Sequence, residues 1–92
     1  MIEIDKETFY FAVGELLTKT ARQLRLDIPA IKRATGLQYT TIKRMLEGEG
    51  FMFHQIIPVA DCLGLELAAI TYYALNHEGP NGKEKTNIDD LI

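Results

Sequence analysis

The sequence predicts an all-α domain of five short helices, compact, with a short arm before it and a polar tail after it. Three observations carry that reading. Apolar residues recur in steps of three, four and seven rather than two. Turn-forming residues interrupt the pattern at Asp27–Pro29, Gly36, "EGEG" (Glu47–Gly50) and Gly64, leaving segments of helix length between them. No run long enough for a sheet alternates. The nearest is "IEI" at the start, which reads as a brief strand or a lead-in.

Residues 1–8 read as an acidic arm, 9–77 as the domain and 78–92 as the tail. Phe9, Val13, Leu16, Leu17 and Leu24 share a helical stripe, so a first helix runs from about Glu7 to about Arg25. Asp27 suits the N-cap of a second helix, and Pro29 is tolerated in its first turn. Ile31 and Ala34, three apart, belong on one inward face. Gly36 ends this helix, because glycine accepts the left-handed backbone that closes one. A third helix runs from about Gln38 to about Glu47, with Ile42, Met45 and Leu46 turned inward and Leu37 inward just before it. Phe51 and Phe53 read as core plugs in the loop that follows. A fourth helix spans about His54 or Gln55 to Leu63, its start restricted by Pro58, since a proline fits only within the first turn. After Gly64 a fifth runs from about Glu66 to about Asn76. "HEGPNGKEKTNIDD" is polar and aperiodic, and reads as a tail that adds little to stability.

Ninety-two residues with 47% hydrophobic content suit one domain with its own core. A single cysteine, Cys62, excludes a disulfide framework within the chain; it falls in an apolar stretch and reads as a small core residue in a reducing setting. "MIEIDKETFY" is acidic and lacks the apolar run of a secretory signal. No stretch approaches the roughly 20 apolar residues of a membrane span. The expectation is therefore a cytoplasmic protein with no membrane partner.

The net charge of -3 argues against a general nucleic-acid binder, but the charge is unevenly placed. From Lys19 to Arg44 seven cations (Lys19, Arg22, Arg25, Lys32, Arg33, Lys43, Arg44) face Asp27 alone, a net +6. The remainder carries -9. Such a basic segment suits an anionic partner. A helix, a short glycine turn and a second helix form the arrangement that lets the second helix enter the DNA major groove, which is about 12 Å wide. Buried Ile31, Leu37, Ile42 and Met45 would pin the two helices. Gln38, Tyr39, Thr40, Lys43 and Arg44 would be exposed to bases and phosphates, with Lys43 and Arg44 three and four residues beyond Thr40 on its face.

Here the chain resembles a family. "LRLDIPAIKRATGLQYTTIKRMLEGEG" (Leu24–Gly50), followed after a loop by "IIPVADCLGLEL" (Ile56–Leu67), is similar to the Cro/repressor-type, xenobiotic-response-element-like helix-turn-helix of phage repressors and bacterial regulators. The likeness runs from about Leu24 to Ile70. It rests on Gly36 in the turn, Leu37 after it, "TTI" at Thr40–Ile42, "EG" at Glu47-Gly48 and "ADCLGLEL" at Ala60–Leu67. It implies a five-helix domain that binds operator DNA as a dimer, with Gln38, Tyr39, Thr40, Lys43 and Arg44 on the reading face. The chain departs from the family at Lys32, where a small alanine is usual. It departs again at "DIPA", where a glutamine serves a phosphate, and at Gln38, where a serine caps the recognition helix.

Bland readings stand beside these. Lys43 and Arg44 also suit a solvated helix face. Tyr39 could pack against Lys43 instead of reaching DNA. Arg22, Arg25 and Arg33 are candidates for phosphates or for solvent. His54 and His77 lie far apart without ligand spacing, so no metal is expected. No nucleophile and base are arranged for catalysis, so neither an enzyme nor a cofactor is expected. By the resemblance Leu65, Leu67 and Ile70 point into the core. That leaves Ala69, Tyr72 and Tyr73 to a homodimer interface, tyrosine being enriched at such surfaces. Tyr72 capping the core beside Phe9 or Tyr10 is the alternative, and "FYF" (Phe9–Phe11) is a second candidate interface. The sequence thus predicts a transcriptional regulator, a repressor by resemblance. A protein-binding modulator on the same fold, an antirepressor or antitoxin, is its rival.

Overall fold

The structure, a computed structural model, describes residues 5–76. Five helices follow in order: α1 (Lys6–Leu24), α2 (Ile28–Thr35), α3 (Tyr39–Leu46), α4 (Phe53–Cys62) and α5 (Leu67–Leu75). Among the described residues there is no strand. His77 and the tail with Ile88, Leu91 and Ile92 lie outside them, as does "IEI".

The local signals explain where the helices begin and end. Asp5 accepts the Thr8 amide at 2.7 Å, and Asp27 accepts the Ala30 amide at 2.9 Å, so each satisfies an amide of a first turn. That places the start of α1 at Lys6, inside the stretch read as an arm. Arg25 closes α1 in the left-handed conformation (φ 58°), its amide bonding back to the Ala21 and Arg22 carbonyls. Gly36 closes α2 in the same way (φ 77°), its amide bonded to Lys32 at 2.8 Å.

α1 is the spine. Ala12, Val13, Leu17 and Ala21 are fully buried, and the helix packs on α3 and α5. α2 packs on α3 and α4, with Ile28, Ile31, Ile42, Met45 and Val59 completing the centre. Two polar residues of α1 are buried as well. Thr18 donates its hydroxyl to the Leu46 carbonyl at 3.0 Å, at the end of α3. Glu15 accepts the Tyr73 hydroxyl at 3.0 Å and pairs with the Lys19 ammonium at 3.0 Å, tying α5 to α1. Burial of the Glu15 carboxylate is tolerable because both partners reach it.

Several expectations are corrected. Phe53 is not a plug: it is the first residue of α4 and 70% exposed. Phe51 alone takes that role, its ring 4.9 Å from that of Tyr10 and 6.3 Å from that of Phe9. Because α4 starts at Phe53, Pro58 falls beyond its first turn, inside the helix. Proline has no N–H to offer the His54 carbonyl one turn back, and this short helix continues regardless. Ala34 and Leu24 face solvent: the core-facing sector of α2 is filled by Ile28 and Ile31, and α1 has already left the core at Ala21. Leu67 is also exposed, while Ile70 and Ala74 bury the inner face of α5. Cys62 is half-buried against the core rather than within it.

Candidate nucleic-acid interface

α2 and α3 are joined by Gly36, Leu37 and Gln38. Thr35 shapes this turn. Its hydroxyl donates to the Ile31 carbonyl at 2.8 Å and accepts the Leu37 amide at 3.2 Å. Leu37 then packs partly against the core. Gln38 precedes α3 in extended backbone and gives no side-chain cap, so its amide group remains available outward.

The eight residues of α3 divide by period. Ile42, Met45 and Leu46 are buried. Opposite them Thr40 and Arg44, one turn apart, are both exposed, and Gln38 is exposed ahead of them. Two of the expected reading residues are placed differently. Tyr39 is partly buried against the core. Lys43 is half-buried, with its ammonium 3.1 and 3.2 Å from the two Glu47 carboxylate oxygens. A positive charge expected to face DNA is therefore countered by its own helix end. Arg33 is exposed on α2, as are Lys32, Arg22 and Arg25. Exposure of Lys32 explains how a long side chain is accommodated where a small one is usual: it does not enter the helix contact.

Beside Arg44 lies a cleft of about 340 Å³ bounded by α1, α3, the Glu49–Met52 loop and the start of α4. Lys6, Tyr10, Thr41, Arg44, Glu49 and Gln55 supply its polar lining. Lys6 and Gln55, which lie outside the basic segment, were not among the expected contacts. The packing of α1 on α3 brings Lys6 there, and the start of α4 brings Gln55.

That closing is a backbone contact. A β-carbon added to Gly14 would lie 2.6 Å from the Gly48 nitrogen, 2.7 Å from its Cα and 2.8 Å from the Met45 carbonyl oxygen. Gly48 itself has φ 79°, and a β-carbon there would lie 2.9 Å from the Phe11 Cα. Both glycines are required for the approach, Gly48 also for its conformation.

Of the expected dimer residues, Ala69 is exposed and Tyr72 is 73% exposed. Tyr73 turns inward to Glu15, and burial, then that hydrogen bond, hold its phenol above the usual range. It is Tyr73, not Tyr72, that covers the core beside α1. Apolar groups also reach solvent on α4, where Phe53 and Ile57 stand one turn apart. Among the described residues no single helix is long and apolar enough to cross a membrane. Compared with known proteins, the chain matches no family model, no curated protein and no solved structure.

Proposed function

We propose that the protein is a sequence-specific DNA-binding regulator of transcription, a repressor by its resemblance to phage repressors, acting in the cytoplasm as a homodimer. The observation that carries this reading is the outward face of α3. Thr40 and Arg44 are exposed on a short helix whose opposite face is buried, and Gln38 is exposed at the end of the three-residue turn that leads into it. A helix presented in this way suits the major groove, with Gln38 able to pair with adenine and Thr40 with any base edge. Exposed Arg33 on α2 adds a cation for the phosphate backbone. No metal, cofactor or catalytic step is needed.

The test is a gel shift with duplex DNA from upstream of the protein's own coding sequence, with selection from a random duplex pool beside it. The expected result is one shifted band, weakened by Thr40→Ala or Arg44→Ala. Wild-type protein that retains no duplex at 50 mM salt defeats the reading.

One observation favours a second reading, a protein-binding modulator such as an antirepressor or antitoxin. Phe53 and Ile57 place a large apolar pair in solvent on α4, and surfaces of this kind mark protein contacts. Under that reading Phe53→Ser leaves DNA binding absent or unchanged and abolishes capture of the partner protein.

A further inference from the structure

We infer that the cleft between α1, α3 and α4 seats one phosphate of the DNA backbone, held by Lys6, Arg44 and Gln55, so that Arg44 serves a phosphate rather than a base. The inference rests on the DNA-binding reading and gives it a contact that the sequence alone did not show.

The cleft brings two cations from distant parts of the chain to one depression. Lys6 comes from the first turn of α1 and Arg44 from the far half of α3. Neither makes an ion pair within the described residues, although two other lysines of the chain, Lys19 and Lys43, have carboxylates one turn away. Lys6 rests only near the Tyr10 ring, 5.9 Å from its centroid. Glu49 shares the cleft, and its amide bonds to the Arg44 carbonyl at 3.0 Å, yet its carboxylate forms no pair with the guanidinium. The lining therefore carries one net positive charge with uncommitted donors.

Gln55 adds a neutral donor. Its side-chain oxygen accepts the Met52 amide at 2.9 Å, which leaves the NH2 of the same group to donate elsewhere. The Thr41 hydroxyl lies on the same lining. Two cations, an amide and a hydroxyl suit a tetrahedral oxyanion. A guanine edge needs one bidentate arginine and nothing from the opposite wall. Position agrees. Base readers sit near the start of a recognition helix, whereas Arg44 is in the second half of α3, on the side of Thr41 and the cleft.

The experiment measures affinity for a selected duplex and for a scrambled one across a salt series, with the full chain and the variants Lys6→Ala, Arg44→Ala, Gln55→Ala and Glu49→Gln. Lys6→Ala and Arg44→Ala should each lower the log–log salt slope by about 0.9. Each should weaken both duplexes by the same factor, leaving their ratio intact. Gln55→Ala should weaken both without changing the slope, and Glu49→Gln should tighten both. Lys6 is exposed, so Lys6→Ala should melt like wild type, which separates lost contact from lost fold. Arg44→Ala that changes the ratio with an unchanged slope would overturn the assignment in favour of a base contact. Lys6→Ala that binds like wild type would remove the cleft from the interface. A wild-type protein that binds neither duplex defeats the DNA-binding reading itself, a failure visible before any variant is compared.

Discussion

Gly14 in the middle of α1 and Gly48 just after α3 touch backbone to backbone, with no space between them for a single methyl group. This contact, with the Thr18 bond to Leu46 beside it, fixes the end of α3 against α1. It therefore sets both the tilt of the exposed face of α3 and the width of the cleft next to it.

Gly14→Ala tests the contact. Alanine regains about 1 kcal/mol of helix propensity over glycine. Against that stands overpacking on backbone atoms that cannot rotate away, worth about 1–3 kcal/mol or more. The expected outcome is a net loss of stability, with Tm lower by several degrees in thermal unfolding followed by circular dichroism. A melting point at or above wild type would show that α1 and α3 are not held this closely.

The Lys43–Glu47 pair predicts a gain of function by removing an acid. A half-exposed ion pair one turn apart contributes only ~0.3–0.5 kcal/mol to the fold, so Glu47→Gln should barely change stability. It should release Lys43 toward phosphate, tightening DNA binding and steepening the salt dependence by up to about 0.9 in log–log slope. Lys43→Ala in the wild-type background should then matter less than Arg44→Ala. The reverse order in a salt-titrated gel shift would mean that Lys43 leaves Glu47 without cost.

Tyr73, Lys19 and Glu15 predict an alkaline limb to stability. The Lys19 ammonium is held above its usual range mainly by its bond to Glu15; burial and then the same carboxylate hold the Tyr73 phenol up. Both groups favour the protonated form when folded. Their contribution is complete below the unfolded values, about 10 for the phenol and about 10.4 for the ammonium. It is lost as pH rises through the higher folded values. Tyr73→Phe should cost about 1–2 kcal/mol at neutral pH and flatten the fall in denaturant midpoint above pH ~10. An alkaline limb equally steep in Tyr73→Phe would place its origin elsewhere.

Tyr72 tests the dimer. With Tyr73 engaged within the domain, Tyr72 is the one exposed aromatic of α5, beside exposed Leu67, Ala68, Ala69 and Thr71. Sedimentation at micromolar concentration should show a dimer that Tyr72→Glu converts to monomer, while the thermal transition shifts only by what the lost association contributes. A dimer that survives the charge would move the interface to Phe53 and Ile57.

The sequence was most informative where one residue type has one physical use. Asp27 and Gly36 bounded α2 because a short carboxylate satisfies first-turn amides and glycine alone closes a helix without strain. The inward face of α3 followed from periodicity; on α5 the resemblance gave Ile70 but not the exposure of Leu67 or the inward turn of Tyr73. Position in space was harder to read. Glu15 and Thr18 look like solvent residues by type; their burial depends on partners 58 and 28 positions away. Phe53 looks like core by type, yet α4 begins there and turns it outward. Gly14 stood as one glycine within an apolar helix, a signal of close approach that sequence spacing alone does not connect to Gly48. At the candidate site the outward face of α3 was legible, but the pairing of Lys43 and the arrival of Lys6 and Gln55 were not, since both depend on side chains or helices meeting in space.

Arg25 closes α1 in a conformation that costs an L-residue with a β-carbon roughly 1–2 kcal/mol and costs glycine almost nothing. The chain thus holds a guanidinium at a corner where its backbone favours the one residue that has no side chain. Local preference and charge pull against each other there. Any lineage or engineer that relaxes the corner with glycine removes that strain and, in the same step, gives up one cation of the basic segment. Arg25 is the place where selection for a sturdier domain and selection for an anionic partner would leave opposite residues.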